Sequence, residues 1–166
     1  MQYEIFKLSR NKIIDDIVYD DLMYVCRLIV KVARQLEQTD EYVVSKMGEE
    51  GFAHEIDVAQ ASHCLPIYRV LEETIETYNL QKGDYRDYEF GYEGYHYPDE
   101  SHIGHMYSRL AAHLYFNHYK DSLIDCCMDI FLNSTFPEKV HEFNTATYIT
   151  PPQQILYEYL NGYYKK

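Results

Sequence analysis

The longest hydrophobic pattern in the chain runs from about Asn11 to Gln38. Its apolar residues recur every three or four positions, which places them on one face of a helix. They are Ile14, Ile17, Val18, Leu22, Val25, Leu28, Ile29, Val32 and Leu36. The pattern predicts one long amphipathic helix that packs its apolar face against the rest of the protein.

Shorter helices are predicted between Thr39 and about Leu80. Thr39 and Asp40 can cap a helix that Gly48 stops, since glycine favours helix ends. A second helix is expected over about 53–65, and Pro66 suits the first position of a third. The third helix should face inward with Ile67, Val70, Leu71, Ile75 and Tyr78.

Helical spacing resumes near Ile103, fails around Tyr119 and then recovers, which predicts two helices with a break between them. A further turn is expected after Pro137, with Ser134 or Thr135 as its cap, and a last helix after Pro151. Residues 145–149 are expected to be extended. The sequence therefore predicts an all-α fold: a single compact domain over 1–166, with about five to seven helices.

Periodicity is absent from residues 82–102, between the central helices. Irregular segments of about 20 residues are uncommon inside compact domains and are usually functional or disordered. This one holds too many aromatic residues for ordinary disorder. We therefore expect a long irregular loop rich in tyrosine and acid.

Charge is concentrated in one part of the chain. Residues 41–133 contain 17 Asp/Glu and 6 Lys/Arg, whereas the remainder is nearly balanced, and the whole chain has a net charge of −12. This distribution argues against binding to nucleic acid or to an anionic membrane, and it suits a basic protein partner.

The loop interleaves its acids with aromatic rings. A carboxylate can pair with arginine while a neighbouring ring stacks on the guanidinium, and tyrosine is enriched at binding hot spots. The predicted partner-binding residues of the loop are Asp84, Tyr85, Asp87, Tyr88, Glu89, Phe90, Tyr92, Glu93 and Tyr95. The alternative is an Ω-loop that folds over the core with its rings inward.

A second acidic group lies on the preceding predicted helix. Glu72 and Glu76 form a like-charge pair four residues apart, and Glu73 lies beside them. Such pairs destabilise a helix slightly, and Arg69 is the only nearby base, so local stability does not explain the group. One explanation is mimicry of DNA phosphates towards a DNA-binding enzyme. The other is a solvated face that keeps the protein soluble.

Five of the eight histidines fall between His96 and His118, which raises a weak metal hypothesis. His102 and His105 would share a helix face, and His96 with Asp99 or Glu100 could complete a site of nitrogen and oxygen ligands. The spacing matches no stringent metal signature. His113, between apolar neighbours, is expected to be a partly buried core residue. We therefore predict no cofactor.

The four cysteines contain no CxxC pair and do not form a secreted disulfide framework, so buried free thiols are expected. Residues 1–6 have neither the basic nor the apolar region of a signal peptide, and no apolar run is long enough to span a membrane. These features predict a cytoplasmic protein.

The sequence favours a non-enzymatic inhibitor that binds a basic protein stoichiometrically. The partner would be a toxin, a nuclease or a defence effector, so the protein would be of the immunity type or of the anti-defence, DNA-mimic type. Two alternatives stay open: a small metal-dependent enzyme built on His96, His102 and His105, or a self-associating scaffold. The oligomeric state is not predicted.

Overall fold

The computed structural model describes residues 16–86, 98–142, 147 and 150–166. Within these residues the regular structure is helical and contains no strand, which confirms the predicted all-α class. The helices are α1 (Asp16–Gln35), α2 (Asp40–His63), α3 (Ile67–Thr77), α4 (Glu100–Phe116), α5 (Leu123–Asn133), α6 (Phe136–His141) and α7 (Pro152–Leu160).

Helix α1 lies at the centre of the fold, between α4 and α2. The middle of the apolar stripe predicted from the sequence is buried: Leu22, Val25 and Val32 have no exposed surface, whereas Val18 and Leu36 are half-buried. Burial of the predicted stripe residues Ile14 and Ile17 lies outside what the structure describes. Cys26 and Val30 are also fully buried, because a helix with neighbours on two sides needs a wider apolar surface than a helix on the outside of a fold. The helix ends at Gln35, before Glu37 adopts a left-handed φ of 53°.

Helices α1 and α4 approach closely at Gly104. A Cβ atom at this position would lie 2.8 Å from the backbone nitrogen of Arg27, which is closer than non-bonded atoms can pack. Glycine is therefore required here by space rather than by backbone conformation. The close approach brings the buried residues Ile103 and Tyr107 of α4 into the core.

The two helices predicted on either side of Gly48 are joined in one element, α2, with a kink. Gly48 has φ 66° and ψ −179°, a conformation that interrupts the helix and that glycine adopts at little cost. The break was therefore predicted at the right residue, but the chain resumes helix immediately after it instead of forming a loop.

Helix α3 buries less than the sequence predicted. Pro66 precedes the helix as its cap, and only Val70 and Thr74 are buried along its length. The prediction that Ile67 faces inward is wrong: its side chain is 44% exposed.

The predicted break near Tyr119 is confirmed. Helix α4 ends at Phe116, and α5 begins after Ser122, whose Oγ accepts a hydrogen bond from the Asp125 amide at 3.0 Å. The turn predicted after Pro137 is α6, with Thr135 in the cap position. Its hydroxyl does not cap the helix, because both its backbone amide and its hydroxyl donate to the carbonyl of Tyr164. Helix α7 follows Pro151 as predicted.

A buried carboxylate joins three parts of the fold. Asp40, only 3% exposed, accepts a hydrogen bond on Oδ2 from the Tyr107 hydroxyl at 2.5 Å. The same oxygen lies 2.5 Å from His141 Nε2, which donates to it. The sequence assigned Asp40 to helix capping, but Thr39 performs that role by accepting from the Tyr42 amide. Asp40 instead ties α2 to α4 and α6.

The four cysteines are free thiols, as expected, but they are not all buried. Cys26, Cys126 and Cys127 are in the core, whereas Cys64 is exposed, because it follows the last residue of α2 at the surface. Burial raises the pKa of the Cys126 thiol to about 11, which keeps it protonated and unreactive at neutral pH.

Among the described residues, no helix is long and apolar enough to cross a membrane.

Candidate functional site

The acidic group predicted on α3 is on the surface. Glu72, Glu73 and Glu76 are all exposed. Arg69 Nε lies 3.0 Å from Glu73 Oε1, but both side chains are more than half exposed, so water screens this ion pair. Glu72 and Glu76 have no ion-pair partner within the described part of the chain. The helix therefore presents uncompensated negative charge to solvent.

Exposed apolar residues lie at the start of the same helix. Leu65 and Ile67 are 39% and 44% exposed, and Tyr68 is 66% exposed, so three large apolar side chains lie within four positions. Clustered apolar surface next to charge is typical of protein-binding sites, whereas single exposed apolar residues are common everywhere. Tyr68, Glu72 and Glu76 follow one another at four-residue spacing on one side of α3, whereas Ile67 shares the spacing of the buried Val70 and Thr74. We call the exposed side, with Tyr68, Glu72, Glu73 and Glu76, the α3 face.

The other side of α3 holds the helix in place. Val70 and Thr74 enter the core, and the Tyr78 hydroxyl, just after the helix, donates to Glu55 Oε1 at 2.7 Å. Burial, followed by the neighbouring Glu55 carboxylate, raises the pKa of Tyr78 well above its ordinary value, so the hydroxyl keeps its proton. The α3 face is therefore presented by a helix fixed at both its middle and its end.

The first residues of the predicted loop are attached to the end of α1. The Gly83 and Tyr85 amides donate to the carbonyls of Leu36 and Glu37 at 2.7 and 2.8 Å. Arg86 Nε lies 2.8 Å from Glu37 Oε1. Asp84 and Tyr85, the first two predicted partner-binding residues of the loop, are both exposed.

The far end of the loop returns to the same place. Arg34, in the last turn of α1, donates to the Pro98 carbonyl at 2.8 Å and pairs with Glu100 at 3.6 Å. Residues 86 and 98 are thus both held at the C-terminal end of α1. The remaining predicted residues of the loop lie outside the described residues: Asp87, Tyr88, Glu89, Phe90, Tyr92, Glu93, Tyr95 and His96.

Helix α4 forms one wall of a cleft of about 170 Å³. Its polar lining residues, from α4 and from the segment before α7, are His102, His105, Arg109, His113, Thr147 and Thr150. The apolar lining residues are Met106, Leu110, Pro152 and Ile155. None of the described residues that line the cleft is an acid. We call it the histidine–arginine cleft.

Charge in this cleft is set by the contact between His105 and Arg109. The Arg109 guanidinium donates to His105 Nε2, which assigns that nitrogen as an unprotonated acceptor. Burial lowers the pKa of His105, and the positive charges of Arg109 and His102 lower it further. His105 is consequently neutral at pH 7, and Arg109 is the permanent charge of the cleft.

The weak metal hypothesis gains no support from the described residues, among which no group of three or more His, Cys, Asp or Glu side chains is arranged to hold an ion. His102 and His105 do line one cleft, but His102 Nδ1 faces Asp99 at 3.1 Å and His105 faces Arg109. A guanidinium beside a ligand nitrogen repels a metal cation. His96, the third candidate, lies outside the described residues.

The place of Arg109 among the histidines of α4 and the exposure of Tyr68 were not predicted from the sequence. His102, His105, Arg109 and His113 are spaced by three, four and four positions, which is the spacing of one helix face and could have been recognised. The burial of His113 was expected, and it is 3% exposed, but its place beside Arg109 was not predicted. Exposure of Tyr68 has no sequence signal, because it depends on where neighbouring helices end.

Comparison with known proteins does not extend these observations, since no family model, no curated protein and no solved structure matches the chain significantly.

Proposed function

We propose that the protein is an acidic inhibitor that binds a basic protein partner stoichiometrically, through the α3 face. The observation that carries the proposal is the combination of Glu72 and Glu76, exposed and without ion-pair partners among the described residues, with Tyr68, which is 66% exposed on the same side of α3. A merely solvated helix face needs the charges but gains nothing from exposed apolar side chains.

Charge and apolar surface have separate roles in such an interface. Glu72, Glu73 and Glu76 attract a basic partner over a distance and raise the association rate. Tyr68 buries apolar area on contact and slows dissociation. Asp84 and Tyr85, in the segment held at the end of α1, add a further exposed acid and a further exposed tyrosine after α3. The sequence of residues 87–97 is also rich in acids and tyrosines.

The partner is a protein with a lysine- and arginine-rich surface, such as a nuclease, a toxin or a defence effector. A row of carboxylates on a helix can occupy a groove that otherwise accepts DNA phosphates. Both an immunity protein and a blocker of a defence enzyme would use this chemistry. The identity of the captured partner distinguishes these two roles.

The first experiment is affinity capture with the tagged protein from its native lysate, at low and then at high salt, with mass spectrometry of the eluate. A basic protein recovered in stoichiometric amount and released by salt supports the proposal. The purified partner is then tested against Tyr68→Ala and, as a matched control, Tyr157→Ala, since the two tyrosines are 66% and 62% exposed. Equal affinity of both variants would contradict the assignment of the α3 face.

A second candidate function, self-association, is favoured by a different surface. Tyr157, Leu160 and Tyr163, in and just after α7, are 62%, 44% and 64% exposed. These residues could bury one another between two copies of the chain. Mass measured in solution over a range of concentrations tests this, and a monomer at all concentrations rejects it.

A further inference from the structure

We propose that the histidine–arginine cleft binds a small organic carboxylate, with the carboxylate group at Arg109 and an apolar body against Leu110 and Ile155. This site is separate from the α3 face and does not depend on the proposed inhibitor function. It is formed by α4 together with Thr147, Thr150 and the start of α7.

The charges of the residues that line the cleft favour an anionic ligand. The protein has a net charge of −12, yet the described lining of this cleft contains one arginine, three histidines and no acid. Among the described residues Arg109 has no carboxylate partner; its hydrogen-bond contact is with His105. A guanidinium presents a planar fork of donors that matches a carboxylate, so a bound acid would occupy donors that His105 leaves free.

The volume of the cleft and its apolar lining residues determine which ligand body fits beside the carboxylate group. A cavity of about 150 Å³ lined by apolar side chains can hold a benzene ring, and this cleft measures about 170 Å³. Met106, Leu110, Pro152 and Ile155 provide apolar surface in the same cleft. A ligand with a single ring or a short branched chain therefore suits the space, whereas inorganic phosphate would leave the apolar surface uncovered.

The histidines that line the cleft differ in exposure. His113 is 3% exposed, whereas the His102 side chain is 72% exposed. A polar group as buried as His113 beside apolar surface is a common way to orient a small ligand.

The test is isothermal titration calorimetry of the full chain with two probes, benzoate and isovalerate. Acetate, inorganic phosphate and the neutral isostere benzamide serve as comparison ligands. We expect one binding site per chain for at least one of the two acids, and weaker binding of all three comparison ligands. Absence of binding by both acids at 10 mM, or phosphate or acetate binding as tightly as the better acid, would overturn the proposal.

Arg109→Gln is expected to weaken the binding of the acid by about 10-fold or more, the usual effect of removing a hydrogen bond to a charged group. Arg27→Gln is the matched control, since Arg27 is also half-buried but lies over the Tyr24 ring, outside the cleft. If Arg109→Gln does not fold, His102→Ala at an exposed position of the cleft and ligand-induced shifts in the amide NMR spectrum of the unaltered chain replace it. Amide shifts confined to residues outside 102–113 and 147–155 would reject the site.

Discussion

The α3 face and the histidine–arginine cleft differ in charge, in burial and in the kind of ligand they suit. The α3 face has three exposed carboxylates, with one base, Arg69, beside them, so its field extends into solvent but is weakened by water and salt. The cleft has a single permanent charge, Arg109, half-buried beside apolar side chains, where each interaction is stronger. The number of charges is thus a poor guide to the strength of a site.

The largest effect is expected from Tyr68→Ala on the α3 face. Truncating a hot-spot tyrosine costs about 2 kcal/mol or more, which is roughly a 30-fold loss of affinity for the basic partner. Surface plasmon resonance should show this loss as faster dissociation. The binding of benzoate or isovalerate to the cleft should not change, and a parallel loss at both sites would show that the substitution had damaged the fold instead.

Reversing the charge of two glutamates on α3 distinguishes long-range attraction of the partner from direct contact with it. Glu72→Lys with Glu76→Lys is expected to reduce the association rate by about 10-fold at low salt, and much less at 0.5 M salt, because screening removes steering. Asp121→Lys with Glu138→Lys changes the net charge equally at two exposed positions outside α3 and is the matched control. Equal effects of the two double variants would assign steering to net charge rather than to the α3 face.

The pH dependence of acid binding separates the cleft from the α3 face. The pKa of His105 is lowered from 6.5 in the free protein by burial and by the adjacent Arg109 and His102, and a bound carboxylate would favour its protonated form. Binding then takes up a proton, so affinity should rise several-fold as pH falls from about 7 to 5. The residues from α7, Pro152 and Ile155, do not titrate in this range. Calorimetry in buffers of different ionisation enthalpy should detect the proton, and a constant affinity across this range would exclude the coupling.

The smallest effect is expected on stability. Replacing Glu72 by Gln removes its repulsion with Glu76, four positions along α3, and should stabilise the fold by about 0.2–0.5 kcal/mol in urea unfolding. Glu73→Gln is the control, because it loses its ion pair with Arg69 and should not stabilise. A clear loss of stability in Glu72→Gln would mean that Glu72 supports the helix rather than a partner.

The helical class and most boundaries could be predicted because they depend on local spacing and on capping. The stripe of α1, the interruption at Gly48 and the break after Phe116 are all confirmed. Predictions from local spacing gave the wrong burial where helices distant in sequence determine which side chains are covered. Ile67 is exposed although it has the spacing of the buried Val70 and Thr74, and Asp40 is buried because α4 and α6 supply its partners.

The candidate sites were predicted less well, for a related reason. Glu72, Glu73 and Glu76 were recognised because a like-charge pair on a helix is visible in the sequence and solvent exposure follows from it. The cleft was not predicted. His102 and His105 were interpreted as candidate metal ligands, and Arg109, one turn further along the same helix, was not assigned to a site. The spacing from His102 to His113 places them on one face of α4, but only the position of α7 turns that face into a cleft.

The link between Asp40 and His141 has a consequence for how the protein is made. The two residues are 101 positions apart. At a synthesis rate of about 5–20 residues per second, roughly 5–20 s pass between the addition of Asp40 and that of His141. During this interval the carboxylate has only part of its final set of donors, and water must hydrate it. The emerging chain should therefore keep the junction of α1 and α2 open to solvent until α6 leaves the ribosome and closes it.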